Sequence, residues 1–246
     1  MSLRIGFDMD GVLADFSLAF HDVDVRLFGN GPGLSAGQPE KKEEELRKAE
    51  QASKSASSHS DVKMESPAPD GPSPRELRRR RDVVWKSIVS TPNFWSTLKP
   101  IDEGAVRRIH EMMLRHHWEV FFITHRPKTT GDTVQRQTQR WLVEQGFDLP
   151  SVLVLSGARG AAAGALRLDY HVDDSAQNCL DIISDSRARP ILIVPDNDAP
   201  TVASARKLGI ATVRSIGECL DVLEQAMTAR EQPGLLARLA TKVGWK

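Results

Sequence analysis

The chain has few cysteines, no excess of charge of either sign and no long apolar run. Its two cysteines, Cys179 and Cys219, cannot form a disulfide framework and lack the CxxC spacing of zinc or redox sites. Lys plus Arg and Asp plus Glu number 33 each, so bulk charge gives no reason to expect a nucleic acid or a membrane surface as the main partner. No window approaches the roughly 18 apolar residues of a membrane-spanning helix, and the start of the chain has no apolar signal-peptide core. We therefore expect a soluble, cytoplasmic protein that binds neither membranes nor specific nucleic acid sequences.

What the chain does have is a series of short apolar runs, separated by segments in which apolar residues recur at helical spacing. The runs cover residues 3–7, 119–124, 152–156, 170–172, 190–195 and 211–213. Strands that alternate with helices predict a parallel sheet covered on both faces, and the runs hardly alternate between apolar and polar, as expected for strands buried on both sides. The sequence thus predicts an α/β fold with a doubly wound, Rossmann-like parallel sheet.

Residues 31–74 differ in composition from the rest of the chain. They are rich in Gly, Pro, Ser, Lys and Glu and contain almost no large apolar residues. Such a segment cannot bury enough surface to offset the entropy lost on ordering, so we expect it to be a disordered insertion. The remaining predicted parts are an α/β core at 1–15 and 96–230, a small helical cap after the first strand at 16–30 and 75–95, and an amphipathic tail at 231–246.

Polar residues follow four of the predicted strands. They are Asp8–Asp10, Thr124–Arg126, Ser156 and Asp173–Asp174. The carboxyl ends of parallel strands lie at one edge of a sheet, where ligands bind in open α/β folds. These four clusters therefore predict one site.

The first cluster suits covalent phosphoryl chemistry. Asp8 is a candidate nucleophile that forms an aspartyl-phosphate. Asp10 is a candidate acid that protonates the leaving oxygen and a candidate base for the hydrolytic water. Gly11 allows a turn in which backbone N–H groups approach phosphate oxygens. Taken alone, Asp-x-Asp-Gly is also common in ordinary strand-to-loop turns.

The other clusters supply charge and hydrogen bonds for the same chemistry. Mg²⁺ between Asp8 and the Asp173–Asp174 pair would offset the negative charge, since it prefers a few hard oxygen ligands. Thr124 is a candidate donor to a phosphoryl oxygen, and Arg159 is a candidate for neutralising the transferring group. Alternatively, Thr124 is a turn residue and the acidic pair caps the helix that follows it.

His125 and Arg126 directly follow Thr124 in the chain. Their position predicts contact with phosphate or substrate, and we assign His125 to phosphate and Arg126 to substrate. Packing within the loop is the alternative for both residues.

Four stretches resemble, in the usual order, the four motifs of the haloacid dehalogenase superfamily. They are "FDMDGVLAD", "FFITHR", the Arg159–Gly160 start of "RGAAAGALRLDYHVDD", and Asp173–Asp174. The resemblance covers roughly residues 3–30 and 83–225. It implies that Asp8 is the nucleophile, that Asp10 is the acid and base, and that Thr124 contacts phosphate. It also implies Mg²⁺ ligands at Asp8, the backbone carbonyl of Asp10, Asp173 and Asp174. The third motif more often carries lysine, and here Arg159 stands in its place.

Within that superfamily, "DGVLADF" followed by "STPNFWSTLKPIDEGA" looks most like the 5'(3')-deoxyribonucleotidase group. In that group a small helical cap lies between the first two motifs, and aromatic side chains in the pocket stack on the base. The resemblance implies that Phe16 flanks the base, with Phe94 or Trp95 beside it. The alternative is that Phe94 and Trp95 are core residues of the cap hinge.

These observations predict a Mg²⁺-dependent phosphomonoester hydrolase that acts through an aspartyl-phosphate. The favoured substrate is a small phosphorylated metabolite, with a nucleoside monophosphate as the first choice, as for a 5'-nucleotidase. A sugar phosphate or another small phosphorylated metabolite is the enzymatic alternative. The other alternative is a non-catalytic binding or regulatory module with the same fold. The sequence does not predict the oligomeric state.

Overall fold

The computed structural model describes residues 2–29, 73–196 and 198–231. The strands are β1 Arg4–Asp8, β2 Glu119–Thr124, β3 Ser151–Val154, β4 Tyr170–Asp173, β5 Arg189–Ile193 and β6 Ala211–Val213. The helices are α1 Phe16–Phe28, α2 Pro74–Ser90, α3 Ala105–His116, α4 Val134–Glu144, α5 Arg159–Ala165, α6 Ala176–Asp185, α7 Ala199–Lys207 and α8 Ile216–Glu231, with a short 3₁₀ helix at Phe94–Ser96. None of the helices in these ranges has an apolar stretch long enough to cross a bilayer. The predicted insertion, except for Ser73 and Pro74, and the predicted tail, except for Glu231, lie outside the described residues.

The six strands form one parallel sheet in the order β3-β2-β1-β4-β5-β6. This arrangement confirms the predicted doubly wound α/β fold. The chain runs outward from β1 to β3 and then returns to β4, on the other side of β1. Asp8 pairs in register with Ile123 of β2, and Phe7 pairs with Val172 of β4. In such sheets the ligand crevice lies outside the carboxyl ends of the strands where the winding reverses, here β1 and β4.

The two strands at this reversal are buried along almost their whole length. Burial of both faces explains their continuous apolar pattern. One cluster of buried side chains packs helices α5 and α6 on the sheet; its members are Ile123, Ala163, Leu168, Ile182 and Ala188. Full burial of a large aliphatic side chain is worth about 1.5–3 kcal/mol, so these contacts fix the helices that border the strand ends.

A glycine inside β1 makes room for a buried histidine of β4. Gly6 pairs in register with His171. A Cβ at position 6 would lie 2.7 Å from His171 Nδ1 and 2.8 Å from Leu168 Cδ1. Glycine within a strand often marks such a close approach. Gly6 thus lets His171 lie inside the sheet, two residues before Asp173.

The chain divides into two compact units. One comprises the residues up to Ala19 and from Ile88 onward, and it contains the sheet; the other is Phe20–Ser87. The predicted cap ranges, 16–30 and 75–95, extend beyond the second unit because its boundaries fall inside α1 and α2.

Within the second unit, a buried ion pair joins the two helices. Asp24 accepts hydrogen bonds from Arg80 Nε at 2.6 Å and from Arg80 Nη2 at 2.7 Å. The guanidinium of Arg80 also lies over the Phe28 ring, and the rings of Phe20 and Trp85 meet edge to face at 5.8 Å. Arg80, one of four consecutive arginines at 78–81, is therefore a structural residue of this unit.

Candidate active site

The turn after β1 brings the backbone close to Asp174. Gly11 has φ +80°, a left-handed conformation that favours glycine, and its N–H donates to Ala14 O at 3.1 Å. A Cβ on Gly11 would lie 2.0 Å from Asp174 Oδ2. Only glycine fits here, and its absent side chain allows the loop after β1 to meet the loop after β4.

Three carboxylates meet where β1 and β4 end. One oxygen from each of Asp8, Asp173 and Asp174 lies within 4.8 Å of the other two. Burial, together with the charge of Asp173, raises the pKa of Asp8 well above its usual range. The same two causes raise the pKa of Asp174 to about 7. In a partly desolvated site, repulsion between these carboxylates raises the free energy of the folded protein unless a cation balances their charge.

Arg159, the first residue of α5, supplies one balancing charge. It is buried, donates a hydrogen bond to Asp8 Oδ1, and its Nε lies 2.9 Å from Asp173 Oδ2. Burial acts to lower the pKa of Arg159, but Asp8 and Asp173 outweigh it, and the pKa is raised. The sequence analysis predicted that Arg159 contacts phosphate and neutralises the transferring group. In the structure the planar guanidinium contacts two carboxylates at once, with Nη2 at Asp8 and Nε at Asp173.

Asp173 is held by several donors. Asn178 Nδ2 lies 2.9 Å from Oδ1 and 3.1 Å from Oδ2, and the Ser175 N–H donates to Oδ1 at 2.9 Å. His171 Nε2 lies 3.1 Å from Oδ2, so this nitrogen is the one that donates. Burial acts to raise the pKa of Asp173, but the His171 hydrogen bond and Arg159 outweigh it and lower the pKa. Asp173 is therefore the member of the cluster that stays charged most easily.

The structure also distinguishes the acidic pair from the cap of α6. Ser175 is the N-cap residue, and its Oγ accepts from the Asn178 N–H at 3.4 Å. Because Ser175 performs this role, the helix does not need a carboxylate of the pair as its N-cap. The sequence analysis missed Asn178. Its only signal was its place one turn after the N-cap, where its side chain can reach back toward Asp173.

Thr124 ends β2, next to β1, and its side chain is completely buried. Among the described residues its Oγ1 has no hydrogen-bond partner. Buried hydroxyls are nearly always paired, so an unpaired one at the end of the strand next to β1 indicates a place for a water or a ligand atom. A capping or turn role for Thr124 would need a partner for this oxygen within the protein.

Asp10 forms an ion pair with Arg126. Arg126 Nε donates to Asp10 Oδ2 at 2.8 Å, and Nη2 donates to Oδ1 at 2.6 Å. The Nη1 group of Arg126 donates to Thr138 Oγ1 at 3.0 Å, and the guanidinium lies 4.8 Å from the centre of the Trp95 ring. The arginine predicted to contact substrate thus contacts Asp10, Thr138 and Trp95.

The aromatic residues predicted to flank a base are buried against one another. The Phe16 and Trp95 rings are 5.5 Å apart, and the Phe94 ring meets Trp95 edge to face at 5.2 Å. The Trp95 indole N–H donates to Pro127 O at 2.9 Å. Base stacking on Phe16 or Trp95 stays a prediction, and it requires these rings to become exposed.

Two further phosphate contacts were predicted, His125 and Gly11. His125 is half-buried and follows Thr124, and Gly11 lies against Asp174. Their contact with phosphate stays a prediction, as does a metal bond from the backbone carbonyl of Asp10.

Comparisons with known proteins give likenesses only among solved structures. No protein-family model and no curated protein matches the chain. The chain is similar to a Thermotoga maritima protein assigned as a beta-phosphoglucomutase, with 19% identity over 90% of this chain and 98% of that one and a TM-score of 0.49. It is similar to a HAD hydrolase, family IA, variant 3, from Entamoeba histolytica HM-1:IMSS, with 14% identity over 89% and 95% and a TM-score of 0.45. A 2-haloacid dehalogenase from Pseudomonas syringae pv. Tomato DC3000 shows 15% identity over 97% and 99% and a TM-score of 0.42. With TM-scores below 0.5 these likenesses support no conclusion about family or activity, which must rest on the chain's own residues.

Proposed function

We propose that this protein is a Mg²⁺-dependent phosphomonoester hydrolase of the haloacid dehalogenase superfamily. The observation that carries the proposal is the meeting of Asp8, Asp173 and Asp174, together with a buried, unpaired hydroxyl on Thr124 at the end of the neighbouring strand. The order of the four motifs in the sequence supports the same function. A site built only for stability would not place three carboxylates together and leave a buried donor unpaired.

The donor set fits a divalent cation of the Mg²⁺ type. Carboxylate oxygens are the hard ligands that Mg²⁺ prefers, and the described cluster offers one from each of three residues. Asp8, Asp173, Asp174 and the backbone carbonyl of Asp10 would hold the ion. When bound, it would neutralise charge on the cluster and on the phosphoryl oxygens.

The proposed reaction has two steps. In the first, an Asp8 carboxylate oxygen forms a bond to phosphorus while the bond from phosphorus to the leaving oxygen breaks, and Asp10 gives that oxygen a proton. In the second, Asp10 takes a proton from water, the water oxygen bonds to phosphorus, and the bond to Asp8 breaks. Arg159 holds one oxygen of Asp8, and the Thr124 hydroxyl donates to a phosphoryl oxygen.

The proposed substrate is a small phosphorylated metabolite, with a nucleoside monophosphate as the first choice. The resemblance of "DGVLADF" and "STPNFWSTLKPIDEGA" to the deoxyribonucleotidase group supports a nucleotide. The burial of Phe16 and Trp95 lends no support, because neither ring offers an exposed face. A sugar phosphate therefore belongs in the same test.

The test is phosphate release from nucleoside monophosphates, sugar phosphates and an aryl phosphate, with Mg²⁺ or with EDTA. We expect release that requires Mg²⁺ and is abolished by Asp8→Asn. Asp221→Asn is the matched control, because Asp221 is an exposed carboxylate paired with Arg108, and its activity should equal that of the wild type. Release from sugar phosphates alone would support the proposed reaction and exclude a nucleotide as the substrate. No release from any substrate would overturn the proposal in favour of a non-catalytic binding module.

A further inference from the structure

The contact with Arg126 fixes both the position and the orientation of the Asp10 carboxylate. Two parallel N–H donors of one planar guanidinium meet the two oxygens of Asp10, at 2.8 and 2.6 Å. Such a fork-to-fork pair restricts the rotation of the carboxylate about its last side-chain bond as well as its position. Each carboxylate oxygen has two lone pairs, so each oxygen of Asp10 keeps one position that can hold the proton it gives or takes. The Asp10 side chain is 15% exposed, whereas that of Arg126 is 1% exposed.

Arg126 is itself fixed by its neighbours on α4 and in the segment around the 3₁₀ helix. Its third donor group, Nη1, is bonded to Thr138 Oγ1 on α4 at 3.0 Å, and one face of the guanidinium lies over Trp95. Trp95 cannot shift freely, because its backbone N–H donates to Gln137 Oε1 at 3.0 Å and its indole N–H donates to Pro127 O at 2.9 Å. Each nitrogen of the guanidinium therefore has a protein partner, and the group is nearly inaccessible to solvent.

We propose that Arg126 is a positioning residue that orients the Asp10 carboxylate for proton transfer and does not itself bind the substrate. This inference rests on the proposed function, in which Asp10 is the acid and base. It replaces the interpretation that the sequence alone favoured, direct contact of Arg126 with substrate. The two roles differ in what the loss of Arg126 does once Asp10 is already disabled.

A double-mutant cycle separates the two roles. Arg126→Met, Asp10→Asn and the double variant are compared with the wild type by their kcat and KM for phosphate release in Mg²⁺. A misplaced catalytic group loses about 100-fold in rate, so Arg126→Met should lower kcat by about that factor and leave KM nearly unchanged. In the Asp10→Asn background, Arg126→Met should cause no further loss of kcat, because Arg126 has no acid or base left to orient in that background.

Leaving-group dependence gives a readout that a purely structural role would not change. The proton from Asp10 matters most when the leaving alcohol is a poor one and matters little for p-nitrophenolate. In single-turnover experiments, Arg126→Met should slow cleavage of an alkyl phosphate much more than that of p-nitrophenyl phosphate. Arg140→Met is the matched control. Arg140 lies on α4 and is likewise paired with an aspartate, Asp132, but its side chain is half-exposed, so the kcat of Arg140→Met should equal that of the wild type.

Each result decides the inference. Losses that multiply in the double variant, an increase in KM, or equal slowing of both leaving groups would overturn it while leaving the phosphatase function intact. Absence of wild-type activity over the whole panel would overturn the proposed function and this inference with it. If Arg126→Met does not fold, Arg126→Lys gives the same comparison, because it keeps the charge and loses the fork.

Discussion

Asn178 donates from one side-chain nitrogen to both carboxylate oxygens of Asp173, at 2.9 and 3.1 Å. This contact and those of Ser175 and His171 stabilise the charge on Asp173 in a fully buried position. Its neighbour Asp174 has no comparable set of donors among the described residues, and its pKa moves in the opposite direction. Adjacent aspartates thus differ sharply in how readily they ionise.

Replacement of Asn178 should destabilise the protein. Asn178→Ala removes two hydrogen-bond contacts to a buried charge, and we expect the free energy of unfolding to fall by about 1.5–3 kcal/mol. The measurement is urea denaturation in EDTA. Gln177→Ala is the matched control. Gln177 donates a solvent-exposed hydrogen bond to Asp181, and loss of that bond should change the free energy of unfolding by less than about 0.5 kcal/mol. Equal effects of the two variants would contradict the role given to Asn178.

The raised pKa of Asp174 predicts an unusual pH dependence in metal-free protein. Burial and Asp173 raise this pKa from the ordinary 3.8 to about 7. Between these values the folded protein binds more protons than the unfolded chain, so the free energy of unfolding falls as pH rises from about 4 to about 7 and is unaffected by this group above that. Asp174→Asn should therefore reduce the loss of stability between pH 5 and pH 8, measured by urea denaturation in EDTA.

The size of this effect is limited because Asp174 is partly exposed and solvent screens its charge. Asp8, whose pKa is also raised, should leave part of the slope in the variant. Identical slopes for the wild type and Asp174→Asn would contradict the prediction.

Gly11→Ala should reduce stability and activity more than the comparable substitution Gly104→Ala. Gly11 and Gly104 both have positive φ, 80° and 93°, so alanine strains the backbone at each by about 1 kcal/mol. A Cβ at Gly104 meets no described atom within 4 Å, whereas one at Gly11 meets Asp174 Oδ2 at 2.0 Å. We expect Gly11→Ala to lower both the melting temperature and Mg²⁺-dependent phosphate release more than Gly104→Ala does. Similar losses in the two variants would show that backbone strain alone governs both.

Thr124→Val should separate activity from stability. Valine has almost the same shape and removes a buried hydroxyl that has no partner among the described residues, so the melting temperature should be unchanged or higher. Phosphate release should fall, because the donor to a phosphoryl oxygen is lost. Thr138→Val is the contrast: its Oγ1 accepts from Arg126, so its loss should lower the melting temperature. A clear drop in the stability of Thr124→Val would mean that the hydroxyl has a structural partner after all.

Much of the fold was predictable because the strands are buried on both faces. The run at 119–124 coincides with β2, and the run at 3–7 differs from β1 by one residue at each end. The strand ends also predicted which side chains meet. Asp8 and Asp173 are far apart in sequence, but parallel strands bring their carboxyl ends to one edge.

The contacts that the sequence did not reveal lie in loops and at helix starts. There the direction of a side chain is set by neighbours that are distant in the chain. Arg126 follows Thr124 closely, and its sequence position is compatible with substrate contact. Only the positions of Trp95 and Thr138 direct it to Asp10. Periodicity carries no information about such packing.

The central position of β1 in the sheet has a consequence for how the protein is made. The strand that carries Asp8 precedes its contact partners by a long stretch of chain, since Arg4 bonds to Glu119 and Asp169 across 115 and 165 residues. During synthesis the apolar strand β1 therefore stays without its sheet neighbours until β2 and then β4 have been made. Pairings between such distant residues form slowly, and until they form the exposed apolar strand can associate with other chains. The arrangement that creates the candidate site thus also delays its completion, because Asp8 and Asp173 cannot meet before β4 has been made.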